Sequence, residues 1–147
     1  MNLTNRYSVA TVLNMLALLV FASGCIVVVK EDQDDRRRYL HGSEWILEVV
    51  FYRTQTMTLA DRAIEIQFLE DGTISGRAAC GMFSGEFDVN ENDGITISSV
   101  VPTDSCVEND ALRLVSSRLQ EARTYTVSES DLTISTKSEG YLSFQAK

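Results

Sequence analysis

Cys25, Cys80, Cys106 and His41 are the side chains of this 147-residue sequence best equipped for covalent or metal chemistry. A thiol can be alkylated, oxidised, bound to a metal or activated as a nucleophile, and each use demands different neighbours. Activation needs a base within reach. The single histidine stands in a charged stretch ahead of the folded part, so no Ser-His-Asp or Cys-His arrangement can be assembled inside the domain, and His41 reads as a solvated side chain. Metal binding fares no better, because neither Cys80 nor Cys106 has a CxxC or histidine partner nearby. The run Asp88-Val89-Asn90-Glu91-Asn92-Asp93-Gly94 has the composition of a calcium loop but places Asp93 and Ser99 where such a loop wants Gly and Glu. It reads as a polar hairpin turn. Glu86 and Asp88 alternate along a strand and share a face, a pairing that so acidic a chain produces by chance. No catalytic residue, metal ligand or cofactor is assigned.

Cys25 has a more specific context. It follows Ala22-Ser23-Gly24 and a mostly apolar 13-residue run, Val9 to Phe21, with Arg6 ahead of it. This is the layout of a signal peptide with a short h-region. The small residues before the cysteine resemble the lipobox of bacterial lipoproteins, in which a peptidase cuts ahead of a diacylglycerated cysteine, although Ala22 stands where that pattern prefers Leu. The resemblance implies that residues 1–24 are a lipoprotein signal peptide and that Cys25 carries acyl chains such as palmitate, anchoring the protein in a membrane. Stable anchoring needs more than one chain, and lipoprotein maturation supplies several. Ile26, rather than Asp, after the cysteine implies the outer membrane of a Gram-negative envelope. The alternative is an uncleaved anchor, since Ile26 to Val29 extend the apolar character to 21 residues, long enough to cross a bilayer. Lys30 and Arg36 to Arg38 would then hold the domain in the cytoplasm. With Cys25 assigned to lipid, Cys80 and Cys106 remain as a pair that an oxidising envelope allows to form a disulfide. Two buried free thiols are the other reading.

The formal charge of the whole chain is −8. Removing residues 1–24 takes one arginine and no acid, which leaves −9 and no basic footprint for nucleic acid. Arg36 to Arg38 follow Glu31, Asp32, Asp34 and Asp35, a near-cancelling mixture that reads as a solvated linker. Residues 25–42 are therefore expected to be a lipidated tether. Residues 43–147 suffice for one compact domain.

Alternation dominates that domain. Ile64, Ile66 and Phe68 repeat with period two before Asp71-Gly72, and Ile74, Gly76 and Ala78 resume after it. The same grammar returns around Asn92-Asp93-Gly94 and Glu139-Gly140. Leu112, Val115, Leu119 and Ala122 instead recur at helical spacing, with Asn109 or Asp110 as cap. The pattern predicts an α+β fold: a curved antiparallel sheet or half-open barrel of about seven or eight short strands, opened by Trp45-Ile46-Leu47, with one amphipathic helix packed on it.

Gly76-Arg77-Ala78-Ala79-Cys80-Gly81-Met82-Phe83-Ser84-Gly85 resembles the central motif of the META domain, the family of the HslJ-like envelope lipoproteins. Trp45 and Leu47 upstream, and Thr103-Asp104-Ser105-Cys106 downstream, stand where the family has its opening strand and its second Thr-to-Cys element, and Tyr125, Val127, Asp131 and Leu132 fit its close. The family-motif positions are thus Gly76, Cys80, Gly81, Phe83, Gly85, Thr103 and Cys106. Ala79 and Gly81 replace the family's usual Gly and Asn. Because Gly and Asn share a tolerance of positive φ, Gly81 is expected in a left-handed turn or bulge.

The resemblance implies a β-rich domain linked in the family to the envelope and to stress or antibiotic tolerance, and it does not imply an enzyme. The expectation is a monomeric envelope lipoprotein whose domain is a non-catalytic binding or structural module for an unknown envelope protein or ligand. An inhibitor or chaperone-like factor that engages an envelope protein through an exposed strand edge is the alternative, and an enzyme is the third.

Overall fold

The computed structural model describes residues 33–58, 64–102 and 110–147. Cys25, Thr103, Cys106 and the signal segment 1–24 lie outside the described residues.

Among the described residues nine strands, β1 (Glu44–Tyr52), β2 (Gln55–Thr58), β3 (Ile64–Phe68), β4 (Thr73–Ala78), β5 (Gly81–Val89), β6 (Ile95–Pro102), β7 (Ala122–Val127), β8 (Asp131–Thr136) and β9 (Gly140–Ala146), form one sheet. Eight of them run in the spatial order β6-β5-β4-β3-β1-β9-β8-β7, and β2 pairs with the second half of β1. Every pairing is antiparallel. The predicted hairpins are present at the predicted turns. At the first, Gly72 takes φ +84 and the Asp71 carboxylate accepts hydrogen bonds from the Thr73 amide at 2.9 Å and hydroxyl at 2.6 Å. The two ends of the strand order meet at a bridge between Gly94 and Thr124, where the Tyr125 amide donates to the Asp93 carbonyl at 3.0 Å. The sheet is a nearly closed barrel, as the alternation implied.

Period-two patterning turns alternate side chains inward, and the barrel interior is filled by them: Trp45, Leu47, Phe68, Phe83, Leu142 and Phe144 are among the buried core. Each end of the barrel carries a helix. Helix α2 (Asp110–Gln120) buries Leu112, Val115 and Leu119, the stripe that the spacing predicted, while Ala122 opens β7 instead of extending the helix. Its last turn docks on β1, where Arg118 lies 3.9 Å from the Tyr52 ring centre and pairs with Glu121 at 2.8 Å.

The opposite end departs from expectation. Residues 33–42, which the charge pattern assigned to a solvated tether, form helix α1 (Gln33–Gly42). Leu40 is wholly buried in the core, its carbonyl accepts the Trp45 indole N–H at 3.1 Å, and Arg36 pairs with Asp93 at 2.6 Å. The folded unit therefore begins ahead of Ser43. One buried leucine contributes on the order of 2 kcal/mol, enough to outweigh the poor helical amphipathicity of a segment dominated by charge.

Candidate functional site

The described family-motif residues, Gly76, Cys80, Gly81, Phe83 and Gly85, lie on the β4–β5 hairpin. Gly76 faces Phe83 across the hairpin, and a methyl group at Gly76 would fall inside the Phe83 ring, under 3.0 Å from three of its carbons. The glycine gives the ring its place in the core, where Phe83 is 1 % exposed. Gly85 serves β6 in the same way: the register slips between Ser84 and Glu86, Ser99 takes φ +55 in the resulting bulge, and the Ser98 carbonyl and Val100 press to within 3.2 Å of where a Gly85 Cβ would stand.

Gly81 has φ +152, so the expected positive φ is present. It lies far from the left-handed helical region near +57° that Asn tolerates, and this removes the backbone rationale for exchanging Gly with Asn. Cys80, beside it, is partly buried against the core. Its expected partner Cys106 and the motif's Thr103 lie outside the described residues. The register pairs Phe83 with Pro102, so β6 ends beside the turn that carries Cys80.

The acidic run at the β5–β6 turn is a hairpin turn. The Asn90 side-chain oxygen accepts from the Asn92 and Gly94 amides, each at 2.9 Å, and Asp93 is taken up by Arg36 and by the seam of the barrel. Glu86 and Asp88 face solvent on the outer side of β5. His41 is not a freely solvated side chain: it is half-buried on α1, its Nδ1 lies 3.3 Å from the Phe68 carbonyl, and its ring is 5.7 Å from that of Phe87. Among the described residues, no group of three His, Cys, Asp or Glu side chains could hold a metal ion, and no helix is long and apolar enough to cross a membrane.

Among the described residues the surface carries several hollows, three of which bear on a site. A groove of about 440 Å³ runs between β6 and α2, lined by Val100, Pro102 and Leu112 on its apolar side and by Arg113, Ser116, Ser117 and Gln120 on its polar side. Val101 and Met82, 56 % and 47 % exposed, lie on the neighbouring strand surface. A second hollow of about 340 Å³ is lined by Arg37, Arg38, His41 and Gly42 of α1 and by Glu70 of the β3–β4 turn. The third, of about 50 Å³, sits on the outer sheet where Lys147 bridges Glu44 at 2.9 Å and Glu65 at 3.3 Å. The Lys147 ammonium holds the Glu44 carboxyl below the usual carboxylate range, and the two carboxylates raise Lys147 in return. Burial pushes the Tyr125 phenol up, with the Asp93 charge adding to it.

The edge of β6 is guarded. The Ser99 bulge interrupts it, and Pro102, which has no N–H, ends it, two devices that oppose strand addition.

The sequence reading missed the β6–α2 groove and helix α1. The available signal for α1 was Tyr39-Leu40, an apolar pair inside a charged run, three residues after the arginine that pairs with Asp93.

A family model for the META domain matches residues 38–147. No curated protein matches the chain. Among solved structures, a DUF4847-family protein from Bacteroides vulgatus superposes with a TM-score of 0.58 at 13 % identity, covering 72 % of this chain and 93 % of that one. A protein from Burkholderia xenovorans gives 0.59 at 12 % identity, with coverages of 75 % and 85 %. A third protein gives 0.51 at 25 % identity, with coverages of 72 % and 90 %.

Proposed function

The chain belongs to the META domain family, and on that premise we propose that it is an outer-membrane lipoprotein, held by acyl chains on Cys25, whose META domain is a non-catalytic binding or structural module of the envelope. The observation that carries this reading is the use to which the motif residues are put. Gly76, Phe83 and Gly85 fit strands and rings together in a filled interior, and the hollow that Gly76 borders holds only about 50 Å³. A site for a partner or ligand then belongs on the surface, and the β6–α2 groove suits it: about 440 Å³ falls within the roughly 300–1,000 Å³ typical of ligand pockets, with apolar walls and a few polar groups. Strand-edge capture of an envelope protein is the weaker variant, because the bulge at Ser99 and Pro102 guard β6.

A Cys80–Cys106 disulfide belongs to this proposal. The end of β6 at Pro102 stands opposite Phe83, three residues from Cys80, and four residues of chain reach about 13 Å.

The anchor is tested by Cys25→Ser. Loss of labelling by radioactive palmitate and loss from the outer-membrane fraction are expected. A variant that labels and fractionates like the parent contradicts the anchor.

A further inference from the structure

We infer that the α1 end of the barrel is a membrane-contact surface, seated on zwitterionic phospholipid headgroups, with the β6–α2 groove held at the far end. The inference rests on the proposed acylation of Cys25 and adds an orientation that acylation alone does not dictate.

Helix α1 lies across one end of the barrel. Arg36 reaches the β5–β6 turn at Asp93, Tyr39 reaches the β7–β8 turn at Glu129, at 3.2 Å, and His41 reaches the end of β3 at the Phe68 carbonyl. Only residues 26–32 separate Cys25 from Gln33, and seven residues span at most about 25 Å. An inverted domain would need more. A nine-residue strand such as β5 is about 30 Å long, which at a barrel tilt near 40° leaves about 23 Å of height, and the helix adds about 10 Å. The tether cannot cover that sum, so the α1 end stays next to the bilayer.

That end offers headgroups charges of both signs, with exposed acids such as Asp34, Glu70, Asp71, Glu91 and Glu129 outnumbering two exposed arginines. Arg37 is exposed and has no ion pair among the described residues, while Arg38, with Asp35 at 2.9 Å, is also exposed. Both line the hollow with His41, and Glu70 stands across it. Arginines suit phosphate oxygens and carboxylates suit the ammonium of phosphatidylethanolamine, so a pole of mixed sign matches a headgroup of mixed sign. A strongly cationic patch would instead have pointed to anionic lipid alone.

The test uses the mature, full-length lipoprotein in nanodiscs of phosphatidylethanolamine and phosphatidylglycerol that contain a headgroup-spin-labelled lipid, with acylation of Cys25 read by intact mass. Amide signals of Arg37, Glu70 and Glu129 are expected to broaden, and those of Arg113, Ser117 and Tyr141 to stay sharp. The double variant Arg37→Glu/Arg38→Glu is expected to show weaker broadening at the α1 end without a shift of it to the groove end, while its acylation and the dispersion of its spectrum are unchanged. Equal broadening at both ends, or stronger broadening near Arg113, on an acylated protein overturns the orientation alone. An unmodified Cys25 overturns the anchor and the orientation together.

Discussion

Phe83 fills the space that a side chain at Gly76 would need: the two residues are directly opposite each other on β4 and β5, and the ring lies over the glycine's α-carbon. A motif spaced as glycine, six residues, aromatic is thereby explained as one packing unit folded across a hairpin. Gly76→Ala is expected to destabilise the domain by about 1–3 kcal/mol, as overpacking does, measured by urea denaturation. In a Phe83→Leu background the same substitution is expected to be milder. Additive effects of the two substitutions would contradict direct contact.

At Gly81 the φ of +152 excludes the simple exchange with Asn. Gly81→Asn and Gly81→Val are both expected to lose about 1–3 kcal/mol, since side chains avoid that part of the map. A neutral Gly81→Asn would show that the turn relaxes into the left-handed helical region.

Leu40 places α1 inside the domain. Leu40→Ala is expected to lower stability by about 2–5 kcal/mol. A chain starting at Ser43 should unfold at a lower temperature than one starting at Glu31. Equal midpoints would return residues 33–42 to the tether.

A disulfide between Cys80 and Cys106, as proposed, would close a loop of 27 residues, for which loop-closure entropy predicts about 3.5 kcal/mol. Peptide mapping without reduction is expected to recover Cys80 joined to Cys106, and reductant is expected to lower Tm. Two free thiols in protein isolated from the envelope would refute the bond.

Lys147 and Glu44 link stability to pH in opposite directions. Glu44 is lowered in the folded state, so its contribution is present above its unfolded pKa and is lost as pH falls through the folded one. Lys147 is raised, so its contribution is present below its unfolded pKa and is lost as pH rises through the folded one. The Tm gap between the parent and Lys147→Met is therefore expected to be widest between these limits and to close at both extremes. A gap that does not vary with pH would assign the effect to packing of the lysine stem.

The sequence made the barrel legible because each hairpin announces itself twice, in alternation such as Ile64, Ile66, Phe68 and in a turn such as Asp71-Gly72. Strand β2 was hidden, since Gln55-Thr56-Met57-Thr58 has no apolar alternation and is held by pairing with β1 and by Met57 against the core. Helix α1 was hidden for a related reason: one buried leucine and the polar contacts of Arg36, Tyr39 and His41 across the fold hold it, and these produce no periodic apolar stripe. The motif glycines were visible as letters but not as contacts. Their meaning depends on register, on the pairing of Gly76 with Phe83 and the bulge facing Gly85, which a one-residue slip would abolish.

The central claim is that the META domain reaches its site of action as a lipoprotein, and the intact mass of the mature protein extracted from membranes tests it most directly. The account predicts a chain that begins at Cys25 and carries acyl chains on that residue. A mature chain that retains residues 1–24, or begins elsewhere without lipid, would contradict it.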